Sequence, residues 1–152
     1  MKDGRDPLRA WLALLSASNA IKKDIDARMR RQFGLSISRF DVLAALDRAG
    51  EDGLTAGALS THLKVTEGNT TQVTAPLVND GLIRRRASAD DGRVAIFQLT
   101  KKGEQVFFEM AKANRQWVAE ALSPLTPTQI STLRTLLNAL NHPASRLEDE
   151  AA

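Results

Sequence analysis

The sequence predicts a mostly α-helical protein with one small β-hairpin, which places it in the α+β class. Apolar residues recur at helical spacing along most of the 152 residues, and glycine, proline and capping residues separate these stripes. Two short runs, "LIRRRA" and "VAIFQLT", instead have the composition of strands, and the turn-forming "SADDGR" lies between them. A chain of this length suits a single domain.

Two helices are predicted in the first third of the chain. The first runs from Pro7 to about Phe33, with its apolar side chains on one stripe and Gly34 behind it. Ser38 is expected to cap the second helix, "RFDVLAALDRAG", which Gly50 closes. The polar turn "EDG" then separates this helix from the middle of the chain.

A helix-turn-helix is predicted after that turn. Thr55 can cap a short helix that continues to Leu63, and a turn around Val65 and Thr66 leads into a second helix that ends near Asp80. The hairpin follows directly, with a polar tip. The middle of the chain therefore combines a helix-turn-helix with a two-stranded hairpin.

Two further helices are predicted behind the hairpin. Thr100 is expected to cap the first, which ends before Pro124, and Thr126 opens the second with Pro127 at its first position. Pro143 ends that last helix. The first helix and these two have one-sided apolar stripes that the middle unit is too small to cover, which indicates a partner surface. The alternative is that the helices fold back into one monomeric core.

Composition excludes several classes of protein. Hydrophobic residues make up 43% and charged residues 26% of the chain, as in soluble globular proteins. No apolar run approaches the roughly 18 residues of a membrane span, and the start lacks the pattern of a signal peptide, so we expect a cytoplasmic location. The absence of cysteine excludes disulfides and thiolate metal sites.

No catalytic motif is evident, so an enzyme is not expected. His62 and His142 lack the spacing of metal ligands. Asp90 and Asp91 form an acidic pair, but they lie in an exposed turn where nothing would perturb their acidity. No glycine-rich phosphate loop or nucleophile elbow appears, and we expect no catalytic residues, metal or cofactor.

The distribution of charge instead favours nucleic acid. The formal net charge is only +3, but positive side chains concentrate around the hairpin. The members of this group are Arg84, Arg85, Arg86, Arg93, Lys101 and Lys102. A second basic group at 22–31 is diluted by Asp24 and Asp26 and is typical of a solvated helix face.

The second helix of a helix-turn-helix enters the major groove and presents its early residues to bases and phosphates. Asn69 and Gln72 carry amides suited to adenine, and Thr71 can bind phosphate or touch a thymine methyl group. Val73 and Leu77 would form the buried side of this helix. The alternative, that the asparagine and threonines only cap the helix, is compatible with base reading.

The hairpin offers a second contact with DNA. Arg93 at its tip can reach a minor groove, where narrow A·T tracts attract a guanidinium. Side chains alternate across a strand, so the three consecutive arginines divide between two faces. We expect Arg84 and Arg86 to contact DNA, in part by neutralising phosphates, and Arg85 to have a structural or solvent role.

The segment "VTEGNTTQVTAPLVNDGLIRRRASADDGRVAIFQLTKKG" resembles the helix-turn-helix and wing of the MarR family, the multiple-antibiotic-resistance type of bacterial transcription regulators. "ISRFDVLAAL", "LTAGALSTHLKVT" and "LTPTQISTLRTLLNAL" resemble the second, third and last helices of that family, so nearly the whole chain is covered. The family's wing pattern is matched by Asp91, Arg93, Leu99, Thr100 and Gly103. Gly92 replaces the first of its two arginines.

The resemblance implies one domain, 1–152, with a winged helix-turn-helix and N- and C-terminal dimerisation helices. Its DNA-binding lobe would span 36–104, its dimerisation helices 7–33 and 104–141, and an acidic tail 142–152. A homodimer would bind a pseudo-palindromic, double-stranded operator, more often as a repressor than as an activator.

The resemblance also implies that the helix at 66–80 enters the major groove and that the wing at 88–93 enters the minor groove, with Asp91 orienting Arg93. The complete set of expected DNA-binding residues is Asn69, Thr70, Thr71, Gln72, Ala75, Arg84, Arg86, Asp91 and Arg93. The family also implies release by a small aromatic or anionic effector. Trp11, Phe40 and Met110 could line its pocket, although core packing also explains them.

Pro76 departs from a regular reading helix. It lacks the amide hydrogen that would bond to the carbonyl of Gln72, and a proline in a helix interior costs about 3 kcal/mol. Either the helix bends there, or it starts late enough for Pro76 to lie in its first turn. The alternative function is a winged-helix module for protein interaction, with weak or no specific DNA binding, because a fold does not fix a function.

Overall fold

The computed structural model describes residues 4–63 and 67–142. This part of the chain forms six α-helices and three short strands, which confirms the predicted class. Their order is α1 (Arg5–Phe33), α2 (Ile37–Ala49), β1 (Leu54–Thr55), α3 (Ala56–Leu63), α4 (Glu67–Asn79), β2 (Ile83–Ala87), β3 (Ala95–Leu99), α5 (Lys101–Ala121) and α6 (Pro127–Asn141). A 3₁₀ turn, Gly50–Asp52, follows α2. Within the described ranges, no helix has the length and apolarity needed to cross a membrane.

The chain divides into two compact units, of which the first ends at Gln116 and the second begins at Trp117. The first unit contains α1 to α4, the sheet and most of α5, and the second contains the end of α5 and α6. The predicted turn around Val65 and Thr66 and the predicted stop at Pro143 lie outside the described residues.

Most helix ends follow the predicted caps. Gly34 takes a left-handed conformation behind α1, at φ +70°, which favours glycine. The hydroxyl of Thr55 accepts a hydrogen bond from the N–H of Ala58 at 3.1 Å in the first turn of α3. Thr126 and Gln129 form a complete capping box at the start of α6. Local sequence therefore determines these boundaries.

The start of α2 differs from the prediction. Its N-cap is Ser36, whose hydroxyl accepts a hydrogen bond from the N–H of Arg39 at 3.2 Å, so the prediction of Ser38 is wrong. The carboxylate of Asp26 on α1 accepts a second bond from the N–H of Ile37 at 2.8 Å. This partner is distant in sequence, and it satisfies an amide that begins the helix earlier than local spacing indicates.

The Asp26 carboxylate also contacts Arg30 Nε at 2.8 Å. The hydrogen bond from the Ile37 N–H, and then the one from Arg30, hold the pKa of Asp26 below its ordinary value. Because ionised oxygens accept stronger hydrogen bonds, the charged form of Asp26 secures the junction between α1 and α2.

The sheet has a third strand that was not predicted. β2 and β3 pair antiparallel along their whole length, and β1 pairs with the other edge of β3. Two residues are too few to show strand alternation. Gly53, just before β1, has φ +67°, and a Cβ there would lie 2.3 Å from the carbonyl oxygen of Phe97. Only glycine allows this close approach of the segment before β1 to the backbone of β3.

The core lies where the C-terminal half of α1, α2, the helix-turn-helix, the sheet and α5 contribute apolar side chains. Its largest fully buried members are Met29, Leu43, Leu46, Leu59, Leu77, Ile83 and Met110. Other large apolar side chains remain exposed on α1, α5 and α6. They include Leu8, Trp11, Leu12, Leu15, Phe108, Ile130, Leu136 and Leu140. The single chain thus leaves much of the predicted apolar stripes uncovered.

Candidate nucleic-acid interface

One side of α4 presents short polar and small side chains to solvent. Asn69, Thr71, Gln72 and Ala75 are exposed there, and we call them the reading row. Leu77 is fully buried on the opposite side and Val73 is half-buried, as predicted. The amide groups of the row can donate and accept simultaneously, which is the capability needed to recognise an adenine edge.

Thr70 does not belong to the reading row. Its side chain is only 1% exposed, and its hydroxyl lies 2.8 Å from the Ser60 hydroxyl of α3. The Ser60 hydroxyl also contacts the carbonyl of Ala56 at 2.8 Å, which ties the pair to the backbone of α3. The expectation that Thr70 contacts DNA is therefore corrected, because its side chain is buried between α3 and α4.

Pro76 lies in the interior of α4, which begins at Glu67. A late helix start is therefore excluded, and the carbonyl of Gln72 has no helical N–H four residues on. The helix continues beyond the proline, since the N–H of Asp80 donates to the Pro76 carbonyl at 2.9 Å. The helix that carries the reading row therefore lacks one backbone hydrogen bond, the one that the Gln72 carbonyl would accept from residue 76.

At the tip of the hairpin, Asp91 fixes Arg93. The Asp91 Oδ1 accepts from the backbone N–H of Arg93 at 3.0 Å and from its Nε at 3.3 Å. The N–H of Val94 donates to the Asp91 carbonyl at 3.0 Å and closes the turn. The Arg93 side chain is nevertheless 93% exposed. The turn therefore presents to solvent a guanidinium that is paired with a carboxylate.

Gly92 lies between these two residues without steric need for a glycine. Its φ is not positive, and a Cβ at this position would meet nothing within 4 Å. The family arginine that it replaces would therefore fit the turn. The shape of the turn therefore does not explain why the wing tip has a single arginine.

The three arginines of β2 divide between the two faces of the sheet. Arg84 and Arg86 lie on the face of Gln98, and their Nε atoms donate to its Oε1 at 3.1 and 3.2 Å. Arg85 lies opposite Phe97 on the other face. There it lines one cleft with Thr71 and Ala75 of the reading row.

This placement differs from the expectation, which assigned DNA contact to Arg84 and Arg86 and a structural or solvent role to Arg85. Arg85 lies beside the reading row, whereas Arg84 and Arg86 are bonded within the protein on the other face. Alternation along the strand predicted two faces but did not say which one adjoins α4. The buried Phe97 opposite Arg85 is the signal that could have identified it, since an apolar side chain marks the face toward the helices.

The structure does not bring the three expected effector residues together. Phe40 stacks on Phe107 with ring centroids 5.6 Å apart, and it lines an open cavity of about 500 Å³ between α2 and α5. Trp11 is 55% exposed on α1 and Met110 is fully buried, and neither lines this cavity. Across residues 4–63 and 67–142, no cluster of His, Asp or Glu has the makeup of a metal site.

Comparisons with known proteins agree with this geometry. The sequence model of the MarR family matches residues 33–94. The HTH-type transcriptional repressor IacR of Pseudomonas putida is 27% identical over 115 residues, which cover 76% of this chain and 68% of that protein. The family-model match includes the reading helix and reaches the wing.

Two solved structures extend the likeness to almost the whole chain. The transcriptional regulator BldR from Sulfolobus solfataricus has a TM-score of 0.79 and 26% identity, over 97% of this chain and 100% of that one. Sco3205, a MarR family transcriptional regulator from Streptomyces coelicolor in complex with DNA, has a TM-score of 0.83 and 21% identity, over 97% and 93%. At 21% identity, the likeness to Sco3205 shows that the two proteins share a fold.

The relatives are transcription regulators, which confirms the expectation that the chain is not an enzyme. The winged helix-turn-helix is likewise confirmed by the strand order and by these structures. Family model, relatives and fold agree: residues 33–94 match the MarR family of transcription regulators, and the whole chain has the fold of such regulators.

Proposed function

We propose that two copies of this DNA-binding regulator bind a pseudo-palindromic operator and repress transcription. The observation that supports this most is a continuous exposed surface from the reading row to the wing tip. Arg85 connects the two, because it lines one cleft with Thr71 and Ala75 and a second with Gly92 and Arg93. A surface of this kind can follow DNA from one groove into the next.

The reading row would lie in the major groove, with the helix at 66–80 inserted there. Asn69 and Gln72 would form bidentate contacts with adenines, while Thr71 and Ala75 would contact phosphate or thymine methyl groups. Arg85 would bind the phosphates beside the row. The buried Thr70 would act by positioning α4 on α3.

The wing at 88–93 would enter the adjoining minor groove. Arg93 would insert its guanidinium, and Asp91 would keep it ordered before DNA arrives. Pre-ordering reduces the side-chain entropy lost on binding, so Asp91 would contribute to affinity without touching the DNA.

Dimerisation would involve the helices at 7–33 and 104–141, while 36–104 forms the DNA-binding lobe. The support is the set of exposed apolar side chains on α1 and α6, where Trp11 is 55% and Leu140 is 69% exposed. A second copy would bury such stripes and would place two reading rows about one helical turn of DNA apart. The proposed acidic tail lies mostly outside the described residues.

Repression is supported by the likeness to IacR, which is a transcriptional repressor. A small aromatic effector would bind in the cavity beside Phe40, where the Phe107 ring offers a stacking surface and Arg115 a positive charge. Binding there would shift α2 against α5 and thereby move the reading rows apart.

The test is selection of bound duplexes from a random pool with the full-length protein. We expect an enriched inverted repeat, bound with an affinity that falls steeply as salt rises. A protein-interaction module would enrich no duplex, and that result would contradict the proposal. Repeating the selected binding reaction with benzoate-type acids tests the effector, since release of DNA is expected.

A further inference from the structure

We propose that Gln98 is a positioning residue that holds Arg84 and Arg86 away from DNA and leaves Arg85 as the arginine of β2 that binds it. This inference rests on the proposed DNA contact of the reading row. It concerns which of three consecutive arginines contribute to binding, which the sequence of the strand alone does not determine.

The Gln98 amide is almost fully engaged by the protein. Its side chain is 6% exposed, and its Oε1 accepts from both Arg84 Nε and Arg86 Nε, at 3.1 and 3.2 Å. An amide oxygen has two lone pairs, so these donors saturate it. Its Nε2 donates to the carbonyl of Glu51 in the 3₁₀ turn. One side chain therefore connects the two arginines to the end of α2.

The 3₁₀ turn also contacts one of these arginines directly. Arg86 Nη2 donates to the carbonyl of Asp52 at 3.4 Å. Arg84 lines a cavity with Asp47, Glu51 and Glu104, on the α2 and α5 side of the sheet. The Arg84 side chain thus faces carboxylates of the protein, whereas Arg86 is bonded to a carbonyl and also lines the cleft that contains Arg93. Moving either guanidinium to a phosphate would break its bond to a buried amide.

The backbone near Gln98 is shaped around this arrangement. A Cβ on Gly53 would lie 2.7 Å from Gln98 Cγ, which is closer than side-chain atoms pack. The glycine therefore admits the Gln98 side chain beneath the turn. The same Cβ would also lie 2.3 Å from the Phe97 carbonyl oxygen and 2.8 Å from Ile96 Cγ2, so the glycine accommodates β3 as a whole and Gln98 with it.

Holding Arg84 and Arg86 back would change the salt dependence of DNA affinity. Each phosphate that a side chain neutralises adds about 0.9 to the slope of log affinity against log salt. Holding two arginines back would remove sequence-independent binding while leaving the reading row unchanged. Gln98 would thereby raise the ratio of specific to non-specific affinity.

The test compares salt slopes by fluorescence anisotropy, on a duplex selected from a random pool and on a 30-bp duplex of unrelated sequence. Arg85→Gln is expected to lower both slopes by about 0.9 per protomer. The double variant Arg84→Gln/Arg86→Gln is expected to leave them unchanged. A loss of about 1.8 per protomer in the double variant would overturn the inference, because both arginines would then bind phosphate.

A second comparison removes the amide itself. Gln98→Met, with a chain of similar length but no hydrogen bonds, is expected to steepen the slope on the unrelated duplex by up to about 1.8 per protomer. Adding Arg84→Gln/Arg86→Gln should abolish that increase, which is the non-additive signature of coupled residues. Gln105→Met, the same change at an exposed position on α5, serves as the matched control.

These outcomes separate the inference from the proposed function. If the wild-type protein bound neither duplex, the proposed function would fail and the role of Gln98 with it. If it bound both but a folded Gln98→Met variant kept the wild-type slopes, only the inference would be wrong. Should that variant fail to fold, the comparison of Arg85→Gln with the Arg84 and Arg86 double variant still decides the question.

Discussion

Asp91 and Arg93 form a closed pair in which a single carboxylate oxygen accepts from the backbone N–H at 3.0 Å and from the side-chain Nε at 3.3 Å. Both contacts are local to the turn between β2 and β3. Arg93 remains available to a partner, because its side chain is 93% exposed.

Arg93→Ala is expected to weaken DNA binding and to erode any preference for an A·T-rich flank, because the minor-groove guanidinium is lost. Asp91→Ala should have a smaller effect, and the double variant should bind like Arg93→Ala alone, since Asp91 acts through Arg93. Mobility-shift titration measures all three, and sedimentation should show unchanged dimerisation. Undiminished binding by Arg93→Ala would remove the wing contact.

Gly92→Arg is expected to strengthen DNA binding. The turn has space for the new side chain, and the second guanidinium should steepen the salt slope by about 0.9 per protomer. Gly92→Gln is the control for size without charge. A salt slope equal to that of Gly92→Gln would show that this position does not face the DNA backbone.

Gln72→Ala is expected to change preference at particular base pairs by about 1–3 kcal/mol each, because a bidentate amide contact is lost. Measuring affinity on every single-base variant of a selected duplex tests this. If all the duplexes weakened equally, Gln72 would be a phosphate contact instead of a base-reading residue.

Gly103→Ala is expected to destabilise the fold by about 1–3 kcal/mol, although alanine normally favours a helix. Its Cβ would lie 1.9 Å from the carbonyl oxygen of Leu82, which is backbone and cannot turn aside. Gly92→Ala, in open space, is the control and should be near neutral. Chemical denaturation gives both values, and equal stability of the two variants would contradict the packing.

Stability should depend on pH through Asp26. Because the pKa of this carboxyl is lowered from 3.8 by bonds from Ile37 and Arg30, its contribution is fully present above pH 3.8 and is lost as pH falls through the folded-state pKa. Asp26→Asn should therefore be less stable than wild type at pH 7, and the difference should shrink below pH 3.8. Denaturant titrations across this range measure it, and a constant difference would exclude the ionised form as the cause.

The sequence predicted those features that local chemistry determines. The start of α6 at Thr126, the glycine behind α1 and the hairpin all follow from residues that are neighbours in the chain. The features that it missed depend on distant partners. Ser36 replaced Ser38 as a cap because Asp26 of α1 satisfies the next amide, and β1 became a strand because β3 lies beside it.

The candidate site divides in the same way. Periodicity predicted which side of α4 is exposed, and the wing motif predicted the Asp91 and Arg93 pair. The sequence alone could not predict that Thr70 bonds to Ser60, or that Gln98 forms hydrogen bonds with Arg84 and Arg86. Those contacts require the position of one element against another, which composition and spacing along a single segment do not contain.

Pro76 limits how the reading helix can be engineered. A peptide with a proline in its interior loses one helical hydrogen bond, and the residue before proline disfavours the helical conformation. The last turn of α4 therefore owes its helicity to burial of Leu77 and Thr74 against the body of the protein. Transplanting this helix onto another scaffold would transfer its sequence preference only if the scaffold also supplied that buried support.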